Sequence, residues 1–263
     1  DCTGSTDALE VLAFAGLNCA LFLEAPTPAM LDRFGEIDAI GIAGASRAMT
    51  PQEMDAALPA PLAALAELAP IVHYKVCSTF DSAPAIGNIG RVIEIARRSV
   101  ASGTVPIVAG NPALGRYCLF GNLFARSGTD GVVYRIDRHP IMSVHPVTPM
   151  DEADLAVHLL RQAPLQIAKL TIADLAGEGA ALTTDAANDA VLIDSATPEH
   201  LTEVGRLLDG ASKHKPLFVV GSSGVEYALT QWWRCKSDTN RFDTCTAAGP
   251  VLVVSASASA LSA

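Results

Sequence analysis

A chain of 263 residues, half of them hydrophobic, can bury a sizeable core as one large domain or two small ones. Only 17% of the residues are charged, which argues against disorder, and 28 acidic residues against 18 basic ones give a net charge of −10. Such a surface repels nucleic acid and anionic membranes, the densest basic run is the pair Arg97-Arg98, and no apolar run reaches the ~18–20 residues that span a bilayer.

Taken in chain order, short apolar runs alternate with helical patterns. Strands are predicted at Cys19–Leu23, Ala39–Ala43, Ile71–Val76, Pro106–Ala109, Gly131–Ile136, Ile167–Ile172, Ala190–Ile193, Leu217–Val220 and Val251–Ser255. Helices are predicted at Asp7–Gly16, Pro51–Leu68, Asn88–Ala101, Glu152–Arg161, Pro198–Gly210 and Val225–Trp233. Thr50-Pro51 and Thr197-Pro198 each read as an N-cap followed by proline at the first helical position. Most strands are apolar at consecutive positions, the mark of burial on both faces. The fold class is therefore α/β: mostly parallel sheet flanked by helices on both faces, a three-layer sandwich. The sequence opens on a loop and a helix with no strand before them, so a first strand upstream of Asp1 is expected. The six cysteines show no Cys-x-x-Cys pair; reduced thiols and a cytoplasmic location are expected, with a Cys235–Cys245 bridge as the lesser alternative.

Five segments carry candidate chemistry. Asp1-Cys2-Thr3-Gly4-Ser5-Thr6-Asp7 stands at a helix entrance, where free N–H groups suit an anion and Asp1 could act as a general base. Taken alone, the segment is more readily a simple N-cap. Lys75, Ser78 and Thr79 follow a strand, where ligand sites of α/β folds lie; the plainer reading is a turn-rich loop with a snorkelling lysine. Cys77 reads as an inert thiol, because no base is identifiable by spacing. Arg116 after Gly115 could grip a carboxylate in bidentate fashion. His139 and the proline-rich His145-Pro146-Val147-Thr148-Pro149-Met150 offer substrate contacts; two histidines without a third ligand make no metal site. Gly221-Ser222-Ser223-Gly224 could nest an anion at a helix start. A Walker A loop, a Gly-x-Gly-x-x-Gly fingerprint and a Gly-x-Ser-x-Gly elbow are all absent, which disfavours dehydrogenase-like and hydrolase readings.

The order of these motifs resembles the four-carbon acid sugar kinase family across essentially the whole chain. Asp-x-Thr-Gly-x-x-Asp matches Asp1, Thr3, Gly4 and Asp7; Lys-x-x-Ser-Thr matches Lys75, Ser78 and Thr79. His-Pro-x-Thr-Pro-Met and Gly-Ser-Ser-Gly follow. Where the family carries Asp, Arg and Gly, this chain has Cys77, Asp81 and Ser82, which places a negative group where the family has a positive one. The resemblance implies an ATP-dependent kinase acting on a hydroxyl of a small, tetronate-like sugar acid, with ATP and Mg2+ as cofactors. It implies a sugar-acid-binding N-terminal domain over 1–235, a linker over 236–249, and over 250–263 the opening strand of a C-terminal nucleotide-binding domain, which is this domain's own partner. Asp1 would be catalytic. Thr3, Gly4, Asp7, Lys75, Ser78, Thr79, Arg116, His145 and Thr148 would bind substrate. Gly221, Ser222, Ser223, Gly224 and Ser255 would face the nucleotide. A homodimer is compatible with this reading. The alternative is a diverged, non-catalytic sugar-acid-binding module.

Overall fold

The computed structural model describes residues 2–100, 103–128, 130–177, 179–182, 187–213 and 215–235. The expected linker and the strand Val251–Ser255 lie outside them. Five parallel strands form the central sheet: β3 (Ile71–Lys75), β4 (Val105–Val108), β8 (Ile167–Leu170), β9 (Ala190–Ile193) and β10 (Leu217–Gly221). Their spatial order is β3-β10-β4-β9-β8, with Val219 beside His73 and Ile107 beside Leu192. β1 (Cys19–Phe22) and β2 (Ala39–Ile42) pair in parallel as a separate two-stranded sheet.

Every residue of β4 and β10 is buried, as consecutive apolar runs require. Alternate side chains feed two cores. Val72, Ile107, Leu192, Phe218 and Val220 face one; Val108, Ile193, Val219 and Leu217 face the other. Helices close both faces, so the three-layer arrangement stands. On the first face lie α3 (Pro51–Ala57), α4 (Pro59–Leu68), α5 (Ile89–Ser99) and α6 (Leu155–Leu160). On the second lie α7 (Ile172–Leu175), α8 (Pro198–Ser212) and α9 (Gly224–Trp232).

Local chemistry explains the helix ends. Thr50 and Glu53 form a reciprocal capping box ahead of Pro51. Asn88 caps α5 by accepting from the Arg91 N–H at 2.6 Å. Thr197 caps α8, again with proline behind it. The single helix expected over Pro51–Leu68 is two, because Pro59 has no N–H and restarts the chain at a new first turn. The first helix, α1 (Cys2–Phe14), begins five residues before the expected Asp7, so Thr3 and Gly4 stand in its first turn and not in a loop before it.

The larger departure is a three-stranded antiparallel sheet. It comprises β5 (Arg116–Leu119), β6 (Asn122–Arg126) and β7 (Val133–Arg135). The strand expected at Gly131–Ile136 is its edge and not part of the parallel sheet. Phe120 and Gly121 join β5 to β6 with φ of 51° and 77°, a two-residue hairpin turn whose centres are both left-handed. Asp194, at the carboxyl end of β9, accepts from the N–H groups of Phe120 (2.6 Å), Gly121 (2.9 Å) and Ile172 (3.0 Å). One buried carboxylate thus ties the hairpin to the central sheet and to the start of α7.

α8 and α9 cross at Gly205, where an added Cβ would stand 2.0 Å from Ala228 O. Gly205→Ala must therefore push the two helices apart. A loss of about 2–3 kcal/mol in urea unfolding is expected, and an unchanged midpoint would show that the helices part freely.

Candidate functional site

The carboxyl ends of the parallel strands carry the site. Lys75 ends β3, and its ammonium pairs with Asp7 Oδ2 at 2.9 Å while also donating to Val76 O at 3.0 Å. The acidic motif of α1 and the lysine motif of β3 are therefore one cluster. Lys75 is nearly buried and Asp7 is one-third exposed (9% and 34% of the side chains), so the pair offers solvent mainly its carboxylate side. Gly4 is buried one turn earlier and Thr3 is exposed. Asp1 lies outside the described residues.

Past Lys75 the chain makes a tight loop. Phe80 adopts φ of 58° with its side chain fully buried, and its N–H donates to Cys77 O at 2.9 Å. That left-handed turn aims the Asp81 carboxylate inward. Thr79 Oγ1 donates to Asp81 Oδ1 at 2.6 Å and Thr148 Oγ1 donates to Oδ2 at 3.0 Å. Arg47, from the loop after β2, pairs with the same Oδ2. Burial alone would raise the Asp81 pKa; the Thr79 hydrogen bond, the Arg47 charge and the Thr148 hydrogen bond outweigh it and hold the carboxyl below its usual range. Asp81 thus brings its own cation with it. The Thr79 and Thr148 hydroxyls are committed to it, whereas the half-buried Ser78 hydroxyl has no partner among the described residues. His145 Nδ1 accepts from the Thr148 N–H at 3.1 Å, which leaves the proton on Nε2.

The loop is held from behind as well. Ser82 Oγ lies 2.9 Å from His158 Nε2 and accepts from Gln162 Nε2 at 2.8 Å. Burial drives the His158 pKa down to about 4, so the ring is neutral at pH 7.

Arg116 has the opposite character to Arg47. It follows Gly115, whose φ of 67° makes the turn into β5. Its Nη1 donates to the carbonyls of Leu114 (2.9 Å), Gly115 (3.4 Å) and Arg126 (3.3 Å), and no carboxylate meets it among the described residues. Its Nε is buried without a partner. Burial lowers the Arg116 pKa, with Cys77 and Tyr117 opposing it in part. The Arg116 charge in turn adds to burial in lowering the His139 pKa. Arg116 is thus a partly desolvated guanidinium that meets no carboxylate among the described residues, within electrostatic reach of Cys77 and His139.

Gly221-Ser222-Ser223-Gly224 is a packing joint. Ser222 Oγ donates to Ala109 O and accepts from the Gly224 N–H, each at 3.0 Å; Asn111 Nδ2 donates to Ser223 Oγ at 3.0 Å. Both serines are fully buried. A Cβ on Gly224 would stand 2.2 Å from Gly110 O, and one on Gly110 would stand 2.0 Å from Ser195 O. Ser255 lies outside the described residues. No group of three histidine, cysteine or acidic side chains that could hold a metal occurs among the described residues.

Motif reading missed Arg47, Asp194 and the role of Asp81. Arg47 follows Gly44 just past a predicted strand end, which was the available signal. Cys19, Cys77, Cys118 and Cys235 carry free thiols. No described helix is long and apolar enough to cross a membrane.

Residues 1–229 match the family model of the sugar-binding N-terminal domain. The 3-oxo-isoapionate kinase of Paraburkholderia graminis is 47% identical over 261 residues, covering 97% of this chain and 55% of that protein. The 3-oxo-tetronate kinase of Methylobacterium radiotolerans is 30% identical over 239 residues, covering 88% of this chain and 53% of that protein. The chain thus spans about half the length of the curated relatives it matches. A solved Haemophilus influenzae protein shares the fold with a TM-score of 0.76 at 23% identity, covering 94% of this chain and 58% of that one. With the Asp7–Lys75 cluster joining its two leading motifs and its first 229 residues matched, the chain belongs to the four-carbon acid sugar kinase family, as a sugar-binding N-terminal domain.

Proposed function

We propose that this chain is the acid-recognising half of an ATP-dependent kinase that phosphorylates a hydroxyl of a small 3-oxo sugar acid. The observation that carries the reading is Arg116: a partly buried guanidinium that meets no carboxylate among the described residues, within electrostatic reach of Cys77, two residues past Lys75. Its planar fork would take the substrate carboxylate. Lys75 as donor and Asp7 as acceptor would orient the sugar hydroxyls, with Thr3 and Gly4 at the mouth of α1 and the open Ser78 hydroxyl beside them. His145 would donate through Nε2. Thr79 and Thr148 would act through Asp81, by holding the loop that carries Ser78. Asp1 would take the proton of the attacking hydroxyl. MgATP would supply the transferred phosphoryl group and neutralise its charge. Its site would belong to a C-terminal nucleotide-binding domain, because the Gly221–Gly224 turn is packed shut against Gly110. Gly221, Ser222, Ser223 and Gly224 would then set the wall beneath the nucleotide, with Ser255 in the opening strand of the partner domain. The reading locates the reaction in the cytoplasm, where thiols stay reduced; a homodimer is compatible with it.

The test is thermal-shift screening of the full-length protein against a panel of tetronates, 3-oxo-tetronates and branched analogues, with and without MgATP. ADP release is then followed on the hits. Stabilisation by an acid with ADP release is the expected result. Stabilisation without ADP release would favour a binding module, and no shift with any acid would end the reading.

A further inference from the structure

The loop after β2 is anchored where it carries Arg47. Ser46 Oγ and the Tyr74 hydroxyl are hydrogen-bonded at 2.7 Å, and the Gly87 N–H donates to Met49 O at 2.9 Å. Gly87 passes so close that an added Cβ would stand 2.7 Å from Arg47 O. The Arg47 backbone is therefore fixed between β3 and the segment that enters α5. Its guanidinium pairs with Asp81, yet 42% of the Arg47 side chain stays exposed, whereas the Asp81 side chain has no exposed surface.

The protons of this cluster run toward Asp81. Oδ1 accepts from Thr79 Oγ1, and Oδ2 accepts from Thr148 Oγ1 and from Arg47. A hydroxyl has one proton to give, and Thr79 gives its own to Asp81. The 3.0 Å contact between Cys77 Sγ and Thr79 Oγ1 is therefore a thiol donating to that oxygen. His145 Nδ1 is taken by the Thr148 N–H, which leaves a donor at Nε2. Burial works against the Arg47 charge, but Asp81 and then Cys77 outweigh it and hold the Arg47 pKa above its usual value. Arg116 brings a second guanidinium within electrostatic reach of Cys77. The carboxylate of the cluster is buried and spent, so what the cluster offers a ligand is donors. The exposed acceptor, Asp7, stands apart on Lys75.

We propose that Arg47, tethered by Asp81, recognises the ketone oxygen of a 3-oxo acid and so sets the preference for that acid over its 3-hydroxy counterpart. The inference rests on the kinase reading above and adds the residue that reads this one group. A ketone oxygen only accepts hydrogen bonds, whereas a hydroxyl must also place its proton. A set of donors satisfies the first and leaves the proton of the second without a partner. In a 3-oxo acid a single carbon separates the carboxylate from the ketone, so both can face guanidiniums at once. Arg116 takes the carboxylate and Arg47 the ketone. Asp81 holds the second guanidinium in place, and an acid standing where the family has a base thereby supplies the positive group at one remove.

Kinetics and thermal shift of the full-length protein test this with two acids, a 3-oxo-tetronate and the tetronate in which the ketone is a hydroxyl. Wild type should prefer the 3-oxo acid in kcat/KM by at least about tenfold. Arg47→Lys keeps the pair with Asp81 but loses the planar fork. It should lower kcat/KM for the 3-oxo acid by about 10- to 100-fold, mainly through KM, and for the hydroxy acid by less than about threefold. Where Arg47→Lys fails to fold, Arg47→Met combined with Asp81→Asn leaves neither charge unpaired and should show the same loss of preference. Stabilisation of each protein by each acid without MgATP should follow the same order. An equal fall on both acids, or no fall on either, overturns the proposal, because Arg47 then only holds its loop. A wild type that uses both acids alike ends this inference alone, whereas one that binds neither and releases no ADP ends the kinase reading with it.

Discussion

Arg116→Met in the full-length protein is expected to lower kcat/KM for the sugar acid by about 10²- to 10³-fold, which corresponds to roughly 2.7–4 kcal/mol of lost interaction with a charged group. The loss should fall mainly on KM, because a carboxylate remote from the reacting hydroxyl is held alike in the ground and transition states. Arg116→Lys should recover little, since an ammonium lacks the planar fork. Stability should not fall. Among the described residues Arg116 has no carboxylate partner, so its removal orphans no acid there, and Nε, buried without a partner, disappears with it. A variant with unchanged KM and lowered Tm would mean that Arg116 serves to hold the Leu114, Gly115 and Arg126 carbonyls.

Asp81→Asn is expected to lower stability by about 2–3 kcal/mol, because it removes the charge that pairs with Arg47 and leaves one acceptor oxygen where Thr79 and Thr148 each had one. The pH dependence follows from the depressed pKa. The unfolded carboxyl, at about 3.9, takes up its proton before the folded one. The stabilisation is complete above that value and is lost as pH falls through the folded pKa, so the gap between wild type and variant should begin to narrow below about pH 4 and close only below the folded pKa. Urea midpoints at pH 7 and pH 3 measure both points. A gap that persists unchanged at pH 3 would show that shape, and not charge, is what Asp81 supplies. Catalysis should suffer too, because the loop carrying Ser78 is fixed by this carboxylate.

Lys75 was legible because it sits where an apolar strand ends, and Asp7, a turn inside α1, was legible through the Asp-x-Thr-Gly-x-x-Asp motif although the helix start was placed too late. The parallel strands were legible for a related reason: burial on both faces writes consecutive Val, Ile and Leu. Asp81 was not. Its partners Arg47 and Thr148 lie 34 and 67 residues away, and no local spacing announces a contact made by tertiary folding. Read by its charge alone, it looked like an intruder in an anion site; with Arg47 beside it the exchange is a paired one. The hairpin Arg116–Arg126 was missed because its turn has Phe120 at a left-handed position where asparagine or glycine is the usual signal. The Phe120 and Gly121 N–H groups are instead held by Asp194, a residue over 70 positions later.

The order of strands in the central sheet has a consequence for synthesis. β10 lies between β3 and β4, although both precede it in the chain by more than a hundred residues. During translation β3 and β4 emerge early and must leave the place between them vacant until β10 leaves the ribosome. In that interval each presents an apolar edge that could pair wrongly with the other. Closure of the central sheet is therefore a late, long-range event, and a chaperone shielding those edges would act on the nascent chain between the appearance of Val108 and that of Gly221.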